Sequence, residues 1–380
     1  MLSLEAHSTP TGRTRDTRRR AGGVQALCGV LRSAFSVGCY RAEMERVGIR
    51  DVAARAGVSV ATVSFVLNSP GRVSAGATER VQQAIADLGY VRNEAARQLR
   101  MGRSSAIGLV MLDLRNPFFT DLALGAEEEA ASNGLSVVLG HSDRDADRES
   151  TYLDLFEAQR LRGIVIAPFG DIEARLTTLL ERGIPVVLVD WQSEDPRFGS
   201  IAVDNVTGGR LAGAHLLERG RRNIAFVGGP FIRQIRDRLE GAREALSEYT
   251  DGTLEVIETT ALSFEEGRRV GRQLLDREPG RRPDAVFAAN DLIAAGLLQV
   301  LAQDGSIRVP EDMSLVGFDD IAFASATTVP LTTVRQPSRY MGTEAVRMLI
   351  DAERPDFRPR NLLLLPELVV RRSTDSSRSV

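Results

Sequence analysis

Several side chains are well suited to bind a small molecule, and they lie just after apolar runs of strand length. Asp190 and Trp191 end one run, Asn116 follows the first run, and Asn290 and Asp319 come after two later ones. Loops after strands carry polar groups that converge on a gap between subdomains, so these side chains are expected to meet. A carboxylate beside an indole suits a polyol, and the cluster therefore indicates a ligand-binding cleft.

Structural explanations exist for the same residues. Trp191, the only Trp of the chain, is equally compatible with a buried ring that fills space. Asn290 suits the N-cap of a helix and Asp319 suits a turn, and local chemistry favours both of these roles. The residues alone leave these alternatives open.

Catalytic and metal-binding patterns are missing from the sequence. His7, His141 and His215 are not spaced with cysteines or carboxylates as a metal site would require. No Gly-x-Ser-x-Gly or Walker pattern occurs, and the pairs Gly208-Gly209 and Gly228-Gly229 do not form a dinucleotide fingerprint. We therefore expect no catalytic residue, no metal and no cofactor.

A second group of side chains lies at the start of a short helix and is suited to contact DNA. Ser59 caps this helix, whose first N–H groups attract phosphate oxygens. Thr62 and Ser64 add hydroxyl groups for further phosphate contacts. Val60 and Ala61 occupy the first turn, where apolar side chains can only meet thymine methyl groups or fill space.

Three short helices position this second group. The second helix spans Val60–Asn68 and the third spans Ser74–Leu88, ending at Gly89. The first helix ends at Gly57 and carries one apolar face, formed by Ile49, Val52, Ala53 and Ala56. Two helices joined by a tight turn form a helix-turn-helix, whose second helix can enter the major groove.

From Ala106 onward, apolar runs of strand length alternate with helical segments. The first set of runs is Ala106–Leu112, Leu135–Leu139, Gly163–Ala167 and Pro185–Asp190. The second set is Asn223–Val227, Leu254–Ile257, Asp284–Ala288 and Met313–Phe318. Continuous runs indicate strands buried on both faces, which predicts two parallel α/β subdomains with a cleft between them. The late segments Leu331–Gln336 and Leu363–Arg371 are expected to cross back.

The first region resembles the headpiece of the LacI/GalR family of bacterial repressors. The resemblance is carried by Asp51-Val52-Ala53, Ala56-Gly57-Val58-Ser59, Thr62-Val63-Ser64, Val66-Leu67-Asn68, Gly89-Tyr90-Val91, Asn93 and Ala96-Arg97-Gln98-Leu99. It covers about residues 47–372. It implies an all-α helix-turn-helix headpiece and an α/β core of the periplasmic-binding-protein type, built of two doubly wound subdomains.

The resemblance implies a division of the chain and roles for matching residues. The headpiece is then 44–92, the hinge helix 93–103, and the effector-binding and dimerisation core 104–380, with subdomains at about 104–204 plus 336–365 and 205–335 plus 366–372. The implied DNA-binding residues are Ser59, Val60, Ala61, Thr62, Ser64, Phe65, Asn68, Asn93, Arg97 and Leu99. The implied effector-binding residues are Asn116, Phe118, Phe119, Asp190, Trp191, Arg238, Asn290 and Asp319.

Phe65 departs from the family, which usually has Arg at this position. The change removes a side chain suited to paired hydrogen bonds with guanine. We expect the preference at that base pair to be altered or weakened.

The hinge segment is too short to be a stable helix alone, because nucleation is costly. By resemblance it pairs with the dimer partner in the minor groove, where Leu99 enters a base step and Arg97 meets phosphates. The alternative is a linker whose Leu99 packs on the core.

Charge is distributed unevenly along the chain. Its 48 basic residues are all arginine and 51 residues are acidic, for a net charge of −3. Residues 1–103 carry +8 and residues 104–380 carry −11, but +4 of the first sum lies in residues 1–43. We expect residues 1–43 to be a disordered leader or a mis-assigned start, with Met44 as the true first residue. A secretion signal is disfavoured because Gln25 and Arg32 interrupt its apolar patch.

These observations predict a cytoplasmic transcription regulator, usually a repressor in this family, that binds double-stranded operator DNA as a homodimer. A tetramer stays open, and no apolar run is long enough to span a membrane. A small-molecule effector of sugar-like chemistry is expected in the cleft, but sugars, sugar phosphates and purines all bind to this scaffold. The alternative is a secreted sugar-binding protein of the same core fold, which the headpiece disfavours.

Overall fold

The computed structural model describes residues 47–91, 104–170, 172–229 and 232–375. These residues fall into two compact units, an N-terminal unit of residues 47–91 and a core unit of residues 104–375. The predictions on residues 1–43, on the hinge at 93–103 and on Asn93, Arg97 and Leu99 lie outside the described residues.

The N-terminal unit contains the three helices that the sequence predicts. They are α1 (Ile49–Ala56), α2 (Val60–Asn68) and α3 (Ala75–Leu88). Gly57 and Gly89 end α1 and α3 with φ of 64° and 61°, in the left-handed region where a side chain is strained. The three helices share an apolar core that consists of Val52, Ala53, Ala56, Val63, Val66, Val81 and Ala84. The described N-terminal unit is therefore a helix-turn-helix bundle around a small apolar centre.

Two six-stranded sheets form the described part of the core unit. The first sheet contains β1 (Ala106–Met111), β2 (Ser136–His141), β3 (Ile164–Ile166), β4 (Val186–Val189), β5 (Gly199–Val203) and β11 (Asn361–Leu364). The second contains β6 (Asn223–Val227), β7 (Thr253–Ile257), β8 (Ala285–Ala288), β9 (Ser314–Asp319), β10 (Thr332–Arg335) and β12 (Glu367–Val369). Their orders are β11-β5-β4-β3-β1-β2 and β12-β10-β9-β8-β6-β7. Adjacent strands run parallel, except that β12 is antiparallel to β10.

The apolar runs of the sequence correspond to strands, with two differences. The sequence did not predict β5, because Gly199 and Ser200 shorten its apolar run to three residues. The late segment Leu363–Arg371 does not form one strand. Pro366 lies between β11 and β12, and these two strands belong to different sheets.

Helices cover both faces of the sheets, and three pairs of helices pack closely. The helices are α4 (Pro117–Ser132), α5 (Ala146–Ala158), α6 (Glu173–Glu181), α7 (Asn205–Glu218), α8 (Arg233–Ser247), α9 (Phe264–Leu275), α10 (Asp291–Asp304) and α11 (Ser338–Asp351). In the pairs α4–α11, α7–α8 and α9–α10, each helix places a glycine against a backbone carbonyl of the other. A Cβ atom at these glycines would lie 1.9–2.1 Å from that oxygen, so only glycine allows the approach. The glycines are Gly125, Gly342, Gly209, Gly241, Gly267 and Gly296.

The chain crosses between the two sheets three times. It passes from β5 to α7, from β10 to α11, and from β11 to β12. Since α11 packs on α4, β4 and β5, it belongs with the first sheet although it follows a strand of the second. We accordingly propose a first subdomain of about 104–204 plus 336–365 and a second of about 205–335 plus 366–372. In the described ranges, no helix has both the length and the hydrophobicity needed to cross a bilayer.

Candidate functional site

A cavity lies where both subdomains contribute residues, at the carboxyl ends of their strands. It encloses about 430 Å³ of space, part of it open to solvent. Its walls are formed by Leu112, Asp113, Asn116, Phe118, Phe119, Arg144, Asp190, Ile232, Gln234, Ile235, Arg238, Leu262, Asn290 and Asp319. The cavity thus contains the effector-binding residues predicted from the sequence, with one exception.

Trp191 is that exception. Its half-buried indole packs against the core of the first subdomain and lines a separate, neighbouring cavity. The guanidinium of Arg233, the first residue of α8, lies 5.6 Å from the centre of the indole ring. Asp190 and Trp191 are consecutive in the sequence, but their side chains line two different cavities.

Asp319 joins the two subdomains at the floor of the cavity. Its Oδ2 accepts a hydrogen bond from Asn116 Nδ2 at 2.9 Å, and its Oδ1 accepts one from Gln336 Nε2 at 2.7 Å. The residue is buried and has φ of 108°, which a non-glycine residue rarely adopts. Burial raises the pKa of Asp319, while Arg238 and the two amide donors oppose the rise. Asp319 is therefore held by contacts from Asn116, Arg238 and Gln336.

Arg238 is fixed by protein groups on several sides. Its Nε donates to Asn205 Oδ1 at 2.8 Å and its Nη1 donates to the carbonyl of Ala289 at 2.6 Å. The guanidinium carbon lies 3.7 Å from the centre of the Phe318 ring, and Asp319 Oδ1 is 3.8 Å from Nη1. Burial lowers the pKa of Arg238, and the neighbouring carboxylates counteract that effect. The side chain thus presents an oriented positive group to the cavity.

Asp190 is the cavity residue with an unsatisfied acceptor. Its Oδ2 accepts a hydrogen bond from Gln234 Nε2 at 3.0 Å, and its backbone oxygen accepts one from the same amide. Its Oδ1 is buried and has no hydrogen-bond partner in the described part of the chain. Burial raises the pKa of Asp190 to about 7, although Arg238 and Gln234 lower it in part. Buried acceptors of this kind normally have a donor, so a bound molecule is expected to supply one.

Two aromatic rings form an apolar wall of the cavity. Phe118 and Phe119 are both buried, and their ring centres are 4.9 Å apart at an interplanar angle of 74°. Asn116 is the N-cap of α4, and its Oδ1 accepts a hydrogen bond from the backbone N–H of Phe118 at 3.1 Å. The sequence Asn-Pro-Phe-Phe therefore begins a helix and directs two rings toward the cleft.

Asn290 borders the cavity, but the structure gives its side chain a capping role. Its Oδ1 accepts a hydrogen bond from Ile293 N at 3.0 Å, and its Nδ2 donates to the carbonyl of Leu262 at 3.3 Å. The structural explanation offered by the sequence is therefore observed at the start of α10.

Gln234 is one of three polar site residues that sequence reasoning missed. It lies in the first turn of α8 rather than after a strand, so the rule that located Asn116, Asp190, Asn290 and Asp319 does not apply to it. Asp113 and Arg144 were missed as well, although Asp113 follows β1 closely enough for the same rule to apply.

The fold also brings together Asp113, His141 and Asp143, three residues that could share a metal ion. The sequence did not predict this grouping. Arg115 already pairs with both carboxylates, and Arg144 Nη2 lies 2.8 Å from Asp113 Oδ2. Because two guanidinium groups neutralise these carboxylates, the grouping is explained as an ion-pair network.

The candidate DNA-binding surface is the outer face of α2. Ser59 Oγ accepts a hydrogen bond from Thr62 N at 3.0 Å and lies 2.9 Å from Thr62 Oγ1. Asn68 Nδ2 donates to the carbonyl of Ser64 at 2.7 Å. Val60 and Phe65 are exposed by 42% and 47%, and Ala61 is also exposed. The predicted contact residues between 59 and 68 thus share one accessible helix.

Comparisons with known proteins agree with both parts of the structure. Residues 48–93 match the family described as "Bacterial regulatory proteins, lacI family", and residues 214–374 match the "Periplasmic binding protein-like domain". The ribose operon repressor of Halalkalibacterium halodurans is 35% identical over 332 residues, covering 86% of this chain and 96% of that protein. The transcriptional repressor PurR of Aliivibrio fischeri is 31% identical over 337 residues, covering 87% and 98%.

A solved structure with a similar fold contains DNA. The lac repressor dimer bound to operator and the anti-inducer ONPF has a TM-score of 0.75 and 32% sequence identity. The similarity covers 86% of this chain and 99% of that one. It therefore extends over the N-terminal unit and the core unit alike.

Proposed function

The chain belongs to the LacI family of bacterial regulatory proteins, and we propose that it is a repressor controlled by a small neutral polyol bound between its two subdomains. The family and the fold class predicted from the sequence are confirmed by the matches to the headpiece and core. The protein is a DNA-binding transcriptional regulator, as its relatives are. A secreted sugar-binding protein is disfavoured because it would have no use for a helix-turn-helix unit.

The single observation that supports a polyol is the unpaired Oδ1 of Asp190. A buried acceptor without a donor costs free energy, and a ligand that supplies one recovers that cost. Sugar hydroxyl groups are such donors, and the rings of Phe118 and Phe119 offer an apolar surface for the C–H face of a sugar. A relative named for the ribose operon is consistent with this chemistry.

The charges around the cavity favour a neutral ligand over an anion. Three carboxylates line it, from Asp113, Asp190 and Asp319, against the two guanidinium groups of Arg144 and Arg238. Both guanidinium groups are already engaged, Arg144 with Asp113 and Arg238 with Asn205 and Ala289. A phosphate would add negative charge to a cavity in which carboxylates already outnumber guanidinium groups. We therefore propose a neutral sugar rather than a sugar phosphate.

Control of DNA binding is proposed to arise from closure of the cleft. The hydrogen bonds Asn116–Asp319 and Gln234–Asp190 both join the two subdomains. An effector can shift the balance between closed and open forms only by binding one form more tightly. We propose that this shift reaches DNA through the segment 93–103.

The remaining assignments are proposals that rest on family membership. The protein is proposed to be a cytoplasmic homodimer, without enzymatic activity, that binds a two-fold operator. The proposed DNA-binding residues are Ser59, Val60, Ala61, Thr62, Ser64, Phe65, Asn68, Asn93, Arg97 and Leu99. The proposed effector-binding residues are Asn116, Phe118, Phe119, Asp190, Arg238, Asn290, Asp319 and, from the neighbouring cavity, Trp191.

Thermal denaturation with the variant Asp190→Asn tests the effector proposal. Gln234 donates to one oxygen of Asp190, so an Asn would keep its oxygen there and turn its NH₂ group toward the cavity. A neutral sugar at about 100 times its Kd should stabilise the parent by about 2.7 kcal/mol, and the variant should lose most of this response at the same concentration.

Asp147→Asn is the matched control, because Asp147 is an exposed carboxylate on α5. It should respond to the sugar as the parent does. The proposal fails if a sugar phosphate or a purine stabilises the parent while neutral sugars do not, or if Asp190→Asn keeps the full response.

A further inference from the structure

The outward side of α2 is formed by apolar side chains. Ala61 and Phe65 are four residues apart, so they lie on one face of the helix, opposite the buried Val63. Val60 lies beside them in the first turn. Phe65 does not belong to the core that holds the N-terminal unit together. About half of its surface is exposed, so the ring is available for an external contact.

The polar side chains of the same helix are bonded to one another. Ser59 and Thr62 are linked through their hydroxyl oxygens, and Asn68 Nδ2 donates to both the carbonyl oxygen and the hydroxyl oxygen of Ser64. The nine residues of α2 include no charged side chain. A polar side chain of α2 would have to break these hydrogen bonds before it could bond to a base edge. The exposed apolar side chains can contact a base without breaking any hydrogen bond.

Thymine is the base that an apolar surface can recognise in the major groove. Guanine, adenine and cytosine present hydrogen-bonding groups there, and thymine adds a C5-methyl group to its carbonyl. Packing a phenyl ring against polar edges removes their water without replacing the hydrogen bonds, which is unfavourable. Packing the ring against a methyl group buries apolar surface on both sides.

We propose that Val60, Ala61 and Phe65 select T·A pairs in each half-site by packing against thymine methyl groups. The inference rests on the proposed function, because it requires α2 to enter the major groove of an operator. In this proposal Phe65 itself selects a base, in addition to removing the guanine contact that an Arg at this position would make. The operator half-site is expected to place thymines where a recognition helix with Arg at this position would face guanine.

Selection of duplexes by the full chain, followed by removal of single methyl groups, tests the inference. Duplexes that bind the chain are first selected from a randomised pool. Each thymine of the selected half-site is then replaced by deoxyuridine, which lacks only the methyl group. Affinity should fall about fourfold for each methyl group that packs against α2. Deoxyuridine outside the half-sites should leave affinity unchanged.

Variants at position 65 test whether the loss of affinity on methyl removal depends on the Phe65 ring. In Phe65→Ala, deoxyuridine at one thymine should no longer weaken binding, because the ring that touches this methyl group is gone. Phe65→Arg should shift the preference at that pair toward G·C. Val91→Ala is the matched control, since Val91 is an exposed apolar residue of the N-terminal unit outside α2. It should respond to deoxyuridine as the parent does.

The outcomes separate this inference from the proposed function. Selection of a sequence whose binding ignores every deoxyuridine replacement would overturn the inference and leave the DNA-binding proposal standing. The same holds if Phe65→Ala keeps the parent's sensitivity at every thymine. If the full chain selects no sequence at all, both proposals are overturned.

Discussion

At the scale of single residues, Glu149 is a buried acid outside the proposed sites. Its side chain extends from α5 into the first subdomain and is fully buried. Its Oε2 accepts a hydrogen bond from the backbone N–H of Phe169 at 2.9 Å, and its Oε1 has no hydrogen-bond partner among the described residues. Burial raises the pKa of Glu149 to about 7, while the hydrogen bond from Phe169 opposes the rise.

Glu149→Gln should therefore make the core more stable at neutral pH. The folded chain binds the proton of Glu149 more tightly than the unfolded chain does, so the free energy of unfolding of the parent falls as pH rises from about 4.5 to about 7. Gln retains an acceptor for Phe169 and does not titrate. The variant should match the parent below pH 4.5 and exceed its stability by roughly 3 kcal/mol above pH 7.

Urea unfolding between pH 4 and pH 8 measures this difference. Glu240→Gln, at an exposed position of α8, is the control and should show a constant difference from the parent across the series. Parallel stability curves for Glu149→Gln and the parent would show that the buried carboxyl does not titrate in this range.

Sequence position located the site residues better than it determined where their side chains point. Asn116, Asp190, Asn290 and Asp319 were found because each lies at the end of a strand or shortly after it, and all four border the cavity. The backbone direction at a strand end is set by its packing, so the sequence could not show that Trp191 points away from the cavity. The sequence also did not indicate that Glu149 is buried, because its burial depends on packing between α5 and the loop at Phe169.

At the scale of elements, helix ends were predictable and helix contacts were not. Gly57 and Gly89 were identified as helix ends because a left-handed C-cap favours glycine wherever the helix packs. The glycine contacts of α4–α11, α7–α8 and α9–α10 depend on which helices become neighbours. Likewise, the sequence did not show that the late apolar segment is divided between two strands. Pro366 separates β11 from β12 at the point where the chain passes from one sheet to the other.

Two glycine substitutions in the N-terminal unit should have opposite effects. Gly57→Ala places a Cβ at φ of 64°, which should destabilise the unit by about 1 kcal/mol. Gly76 lies within α3, where a Cβ would meet only the guanidinium of Arg80, at 4.0 Å. Gly76→Ala should stabilise the unit by about 0.5 to 1 kcal/mol, because alanine has less freedom to lose on folding.

Hydrogen exchange of the amides of α1, α2 and α3 in the full chain reports these changes locally. Protection should fall in Gly57→Ala and rise in Gly76→Ala. A shift of the same sign in both variants would contradict the conformational explanation.

At the scale of the whole molecule, the basic charge lies largely outside the folded N-terminal unit. Residues 47–91 contain four Arg and three acidic residues, for a net charge of +1. Residues 92–103 contain four Arg and one acidic residue, for +3, and residues 104–380 carry −11. Outside residues 1–46, which carry +4, we therefore propose that attraction to phosphates is concentrated in residues 92–103 and that α2 contributes mainly shape and apolar surface.

The contact between Arg233 and Trp191 gives the molecule an intrinsic optical reporter. The indole is the only one in the chain and belongs to the first subdomain, whereas Arg233 starts α8 of the second and donates to the carbonyl of Gln192 at 3.3 Å. Any change in cleft closure alters the charge and hydration around this ring, so its fluorescence should shift as an effector binds. Arg233→Ala should reduce that shift, and an effector that raises Tm with no change in emission would mean that the cleft binds it without moving.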